Sequence, residues 1–198
     1  MQPFHVHTGV VAPLPRPDVD TDQIIPKQFL KRLGRTGFAD ALFYDWRVDA
    51  VSGQARDFVL NDPRYAGASV LIAGQNFGCG SSREHAVWAL HDFGFRVVLA
   101  PSFADIFASN AVANGFLAAR IDDQTVEALV SAAERHPGVA VTVDLEALRV
   151  TGPDGLDAPI VVDARARARL LEGLDDIALI LRHEDAIARF EAAHGGAR

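Results

Sequence analysis

Between Gly74 and His85 the chain gathers its only cysteine (Cys79), two serines (Ser81, Ser82), an arginine (Arg83), a histidine (His85) and the glycines Gly74, Gly78 and Gly80. Hydroxyl, thiol, guanidinium and imidazole are the groups used for proton transfer, nucleophilic attack and carboxylate binding. The glycines permit positive φ and close approach of a ligand, and a helix starting after them offers free N–H groups and partial positive charge to an anion. Three common loops are excluded by the letters themselves. A dinucleotide fingerprint begun at Gly78 would put Arg83 where a small residue must pack, a phosphate loop needs Gly-Lys-Ser/Thr, and a nucleophile elbow needs Gly-x-Ser-x-Gly.

The individual residues each admit a plain reading beside a chemical one. Ser81 with Glu84 three residues on spells a capping box at the start of a helix, and Ser82 can be read as a cap in the same way. Arg83 in a first helical turn would oppose the macrodipole, a placement that makes sense if its planar fork and the amides share one carboxylate. Cys79 is either a small space-filling residue or a thiolate nucleophile with His85 or His91 as base; His85 is otherwise a helix-face residue.

To position these groups, "SVLIAG" at 69–74 is predicted as a buried strand, "SSREHAVWALHDFG" as a helix ending at Gly94, "RVVLAP" as a strand and "SFADIFASNAVANG" as a helix ending at Gly115. That alternation implies an α/β layer with parallel strands and flanking helices. Upstream, "HVHTGVVAPL" reads as a strand stopped by Pro13, Pro15 and Pro17, followed by a loop carrying Asp18, Asp20, Thr21 and Asp22. Residues 26–47 read as short helical pieces broken by Gly34 and Gly37, with a cationic cluster of Lys27, Lys31, Arg32 and Arg35. Downstream, 122–138 reads as a helix, "VAVTVDLEALRV" and "PIVVDA" as strands around a Pro153-Asp154-Gly155 turn, and 164–193 as helical. The alternating arginines Arg165, Arg167 and Arg169 read as a solvated helix face rather than an anion-binding strip.

The 198 residues, without an internal repeat or low-complexity linker, imply one domain over 1–198. A formal charge of −7 gives no electrostatic reason to expect nucleic acid. One cysteine cannot form an internal disulfide, a four-cysteine zinc site or an iron–sulfur cluster, so no metal is expected on this chain. No signal sequence and no apolar run of membrane-spanning length is apparent, which implies a cytoplasmic protein with no membrane partner.

With these residues in view, the sequence resembles the small subunits of 3-isopropylmalate dehydratases in the aconitase superfamily. "NFGCGSSREHA" at 76–86 carries the resemblance, joined in the same order by "DVDTDQIIPKQFL" at 18–30, "RTGFADALFYDWR" at 35–47, "PSFADIFASNAVANG" at 101–115 and "HEDAIARFE" at 183–191. Gln75, Val87 and Ala118 stand where many relatives have proline. The resemblance implies a single α/β swivelling domain that closes over a separate large subunit carrying a [4Fe–4S] cluster. The pair would interconvert 2-isopropylmalate and 3-isopropylmalate through 2-isopropylmaleate, a hydro-lyase step of leucine biosynthesis. It further implies Ser81 as the base, Ser82 and Arg83 as holders of a substrate carboxylate, Asp20, Thr21 and Asp22 as cleft residues, and segment 30–38, with Lys31, Arg32, Arg35 and Thr36, as the selector of the substrate side chain. The alternatives are a small subunit for citraconate/2-methylmalate or homoaconitate hydration, a stand-alone Cys79-dependent hydrolase, and a non-catalytic dicarboxylate-binding module.

Overall fold

A computed structural model describes residues 1–194. One seven-stranded sheet runs through the chain in the order β4-β3-β2-β1-β5-β6-β7. β1 (Val6–Leu14) lies at its centre, parallel to β2 (Val70–Ala73) on one side and antiparallel to β5 (Ala140–Asp144) on the other. β3 (Val97–Ala100) and β4 (Leu117–Arg120) extend the parallel half. β6 (Arg149–Thr151) and β7 (Asp157–Pro159) complete an antiparallel half.

The parallel half matches the expected strand–helix alternation. α3 (Glu84–Phe93), capped by Gly94 with φ 119°, joins β2 to β3, and α4 (Asp105–Ala113) joins β3 to β4. Residues 70–73 and 97–100 are buried throughout, the pattern of strands covered on both faces. Alternate side chains feed two cores. Leu71, Val98 and Ala100 meet Phe43, Phe77, Leu90 and Phe107 on one face, while Val70, Ile72, Val97 and Leu99 meet Leu129 and Ala133 of α5 (Asp123–Arg135) on the other.

The antiparallel half departs from expectation in detail. "VAVTVDLEALRV" is two strands, β5 and β6, linked through Leu148 at φ 55°, and β7 precedes most of "PIVVDA". Segment 20–47 forms the short helices α1 (Thr21–Ile24) and α2 (Tyr44–Arg47), with single 3₁₀ turns at Lys27–Lys31 and Ala39–Ala41. The chain finishes in α6 (Ala164–Glu172), α7 (Asp176–Leu181) and α8 (Glu184–His194).

Candidate active site

The loop leaving β2 is stitched between two other segments. Gly78 N donates to Val19 O at 2.7 Å and Thr21 N to Cys79 O at 2.9 Å, so 78–79 runs parallel to 19–20. On the other flank Phe77 N donates to Ser102 O (3.1 Å), Ala104 N to Phe77 O (3.0 Å) and Asn76 N to Ser102 Oγ (2.8 Å). The glycines serve this stitching. A Cβ at Gly74 would stand 2.4 Å from the Arg16 carbonyl group, and one at Gly78, whose φ is 78°, would stand 2.3 Å from Phe107 Cγ. The close approach expected of a ligand is made at these two positions by the chain itself.

Beyond Gly80 the chain turns outward, and Ser81 and Ser82 are exposed. The expected capping box is absent: Arg83, not Ser81, is the N-cap residue of α3, in extended conformation (φ −137°, ψ 103°) and without a side-chain cap. Helix α3 starts at Glu84, so Ser81 stands two positions ahead of the cap residue. The capping box lies instead at Asp20, whose carboxylate accepts from Gln23 N at 2.7 Å while Gln23 Oε1 accepts from Asp20 N at 3.0 Å. Asp20 is thereby committed to starting α1, which presents Thr21 and Asp22 to the serine loop. Thr21, only 2% exposed, donates its hydroxyl to Ser81 O at 2.8 Å, and its Oγ1 lies 3.5 Å from Ser81 Oγ.

Arg83 extends back under the loop with its side chain 10% exposed. Its Nη1 donates to Asp22 Oδ1 and, at 3.5 Å, to Ile25 O, while Lys27 Nζ lies 4.0 Å from the other Asp22 oxygen. Within the chain, the carboxylate paired with Arg83 is that of Asp22. Nε and Nη2 make no hydrogen bond among the described residues, and a guanidinium can serve a second acceptor there.

Segment 30–38 approaches from the side of α3. Phe38 N donates to Asp92 Oδ2 at 2.9 Å, and the Phe38 ring packs edge-on to His85. Arg32 makes a two-pronged contact to Asp40 (2.6 and 2.7 Å), donates to Gly37 O (2.7 Å) and covers the Phe29 ring. Lys31, Arg35 and Thr36 are exposed, the Arg35 guanidinium standing 5.9 Å from the Trp88 ring. The structure thus brings Ser81, Thr21, Asp22 and Arg83 together, with Asp20 holding the scaffold, and leaves Lys31 and Thr36 facing solvent.

Comparison with known proteins decides the family. The Aconitase C-terminal domain model matches residues 1–124 and the LeuD_N model residues 127–164. A 3-isopropylmalate dehydratase small subunit of Koribacter versatilis is 59% identical over 98% of this chain and 100% of its own length. Another, from Brevibacillus brevis, is 53% identical over 97% and 99%. The chain belongs to the 3-isopropylmalate dehydratase small-subunit family. A crystal structure of 3-isopropylmalate dehydratase from Methanocaldococcus jannaschii shares the fold, with a TM-score of 0.67 at 24% identity over 93% of this chain and 98% of that one. The lyase class and leucine biosynthesis fit this family, and a small subunit implies a large-subunit partner in a complex.

In this small subunit Cys79 is not set up as a nucleophile. Burial, reinforced by Asp20 and Asp18, pushes its thiol above the ordinary range, which opposes the thiolate. Among the described residues no histidine hydrogen-bonds to it: His85 packs on Phe38 and Trp88, and His91 Nε2 lies 2.6 Å from Arg96 Nη1. Burial holds both imidazoles below their usual range. Among those same residues no group of three or more His, Cys, Asp or Glu side chains is placed to hold a metal ion, and no helix is long and apolar enough to cross a membrane.

Proposed function

We propose that this chain is the small subunit of a cytoplasmic 3-isopropylmalate dehydratase, a single swivelling unit over 1–198 that caps the active site of a large subunit carrying the [4Fe–4S] cluster. The observation that carries the reading is an exposed serine hydroxyl on an internally bonded loop, two residues from a buried guanidinium. The unbroken sheet supports reading the chain as one unit. With one cysteine, this chain does not fit a cluster of its own, so the cluster belongs to the partner.

Ser81, as alkoxide, removes the proton from the carbon next to a substrate carboxylate and returns one in the reverse direction. Arg83 receives that carboxylate on its free edge, with Ser82 donating from the neighbouring position. Asp22 orients Arg83 rather than binding an anionic substrate directly, because two carboxylates on one exposed surface repel. Thr21 fixes the serine backbone. Around Ser81 the charges of Arg83 and Lys27 are matched by Asp20 and Asp22, so the positive potential that favours an alkoxide comes from the large subunit's side of the cleft. Lys31, Arg32, Arg35 and Thr36 form the rim that meets the substrate side chain, Arg32 acting through its hold on Asp40.

The test is reconstitution with the large subunit of a relative such as that of Koribacter versatilis. The mixture should isomerise 2-isopropylmalate, and neither subunit should do so alone. Isomerisation by this chain in the absence of partner and iron would overturn the two-subunit reading. A higher kcat/KM for citraconate or homoaconitate than for 2-isopropylmalate would move the chain to a related hydratase.

A further inference from the structure

The alternating arginines at 165–169 do not form the uniform solvated face that their spacing suggests. Arg167 turns to the Leu145 and Glu146 carbonyls (2.9 and 2.8 Å), whereas Arg165 and Arg169 line a cavity of about 410 Å³ between α4 and α6. A third arginine, Arg120, enters it from the end of β4, where its backbone is fixed by Arg120 N to Val161 O (2.9 Å) and Val161 N to Arg120 O (2.8 Å). The cavity therefore lies beyond the carboxyl end of a parallel strand, where α/β sheets commonly place ligands, and its volume falls within the range of small-molecule sites. Of its lining residues Phe103 lies in the segment that flanks the serine loop, and none is a residue assigned to the reaction or to substrate binding.

Its charges are unequally occupied. Asp163 caps α6, accepting from Arg165 N (2.9 Å) and Ala166 N (3.1 Å), and Asp105 stands in the first turn of α4, where the helix dipole favours an acid. The guanidiniums of Arg120 and Arg165 form no hydrogen bond and no ion pair within 4.0 Å among the described residues, although, after the Ala166 and Arg165 amides, the Arg165 charge helps to hold the Asp163 carboxyl below its ordinary range. The lining also includes Phe103, Val112 and Val162, apolar surface that suits hydrocarbon and not a fully hydrated ion. We propose that this cavity binds a small carboxylic acid with an aliphatic body, the carboxylate between Arg120 and Arg165 and the body on Phe103 and Val112. The proposal is independent of the dehydratase reading.

Calorimetric titration of the full chain with 4-methylpentanoate tests it, with acetate and 4-methylpentanamide as separate arms. Saturable one-to-one binding should be at least about tenfold tighter for 4-methylpentanoate than for either, since acetate lacks the body and the amide lacks the charge. Arg120→Gln and Arg165→Gln should each weaken it about tenfold with circular dichroism unchanged, and Ser109→Phe, which fills the cavity, should abolish it. Absence of saturable binding would overturn the site, as would affinity that survives both arginine variants. Acetate binding as well as 4-methylpentanoate would equally overturn it, reducing the cavity to a patch of positive charge.

Discussion

Asn76, Phe77 and Gly78 each give their backbone N–H to segment 18–21 or 101–104, whereas from Leu33 to Gly37 no backbone N–H donates to another described residue. The first region is held on both flanks and carries Ser81 at its outer end. The second is anchored at Phe38 and through the Arg32–Asp40 pair, with Leu33 97% exposed between them. Groups that must meet a reacting carbon benefit from a fixed frame, because small displacements are costly there. A segment that has only to match a side chain can be completed by the surface that closes on it. The contrast supports placing the chemistry in the serine loop and the choice of substrate in 30–38.

The sharpest way to break the comparison is Ser81→Ala. In the reconstituted enzyme kcat should fall by roughly 10²–10⁴. Because Ser81 caps no helix here, the folded chain should keep its stability within about 0.5 kcal/mol, measured by urea denaturation. A loss of stability without loss of turnover would invert the assignment. Gly78→Ala attacks the frame instead: its Cβ would overlap Phe107 at positive φ, and a loss of about 2–4 kcal/mol in the same denaturation experiment is expected. Unchanged stability would show that the loop is less constrained than its hydrogen bonds indicate.

Arg83→Lys keeps the charge but loses the fork that serves Asp22 and a substrate together, and should cost about 1.5–3 kcal/mol in kcat/KM, roughly 10–150-fold. Parent-like kinetics would remove Arg83 from the site. Exchanging 30–38 for the segment of a homoaconitate-type relative should move the ratio of kcat/KM for the two substrates by about tenfold while leaving stability nearly unaltered. An unchanged ratio would place selectivity elsewhere.

The smallest effect concerns Asp40, whose carboxyl is held below its ordinary value chiefly by the hydrogen bonds from Arg32. Its folded value lies below its unfolded value, so the contribution is present above about pH 4 and lost as pH falls through the folded value. With the carboxylate 64% exposed, that contribution should stay under about 1 kcal/mol. Amide exchange in 33–37 should quicken in acid, and Asp40→Asn should remove that pH dependence.

How far the letters led differs between the same regions. Strands 70–73 and 97–100 were legible because residues buried on both faces must be apolar in every position, and Gly94 marked a helix end because it adopts positive φ. Ser81-x-x-Glu84 misled because a capping motif specifies side chains but not the backbone, which is still extended at Arg83. The box that does form, Asp20 to Gln23, opens a helix of four residues and leaves no periodic signal behind it. Gly74 and Gly78 announced a close approach without saying whose: Arg16 and Phe107 are distant in sequence. The commitment of Arg83 to Asp22 was hidden for the same reason, because a pairing across 61 positions has no local pattern.

The central place of β1 governs how the chain can come together. Its first residues pair with β5, His7 opposite Val143, and its last with β2, Leu14 opposite Ala73. β1 thus waits for partners that leave the ribosome much later, and one of its two edges stays open until β5 has emerged. Such long-range closure slows folding and leaves an apolar edge open to mispairing in the interval. Expression of this subunit should consequently respond to chaperone supply and growth temperature more than its finished stability would suggest.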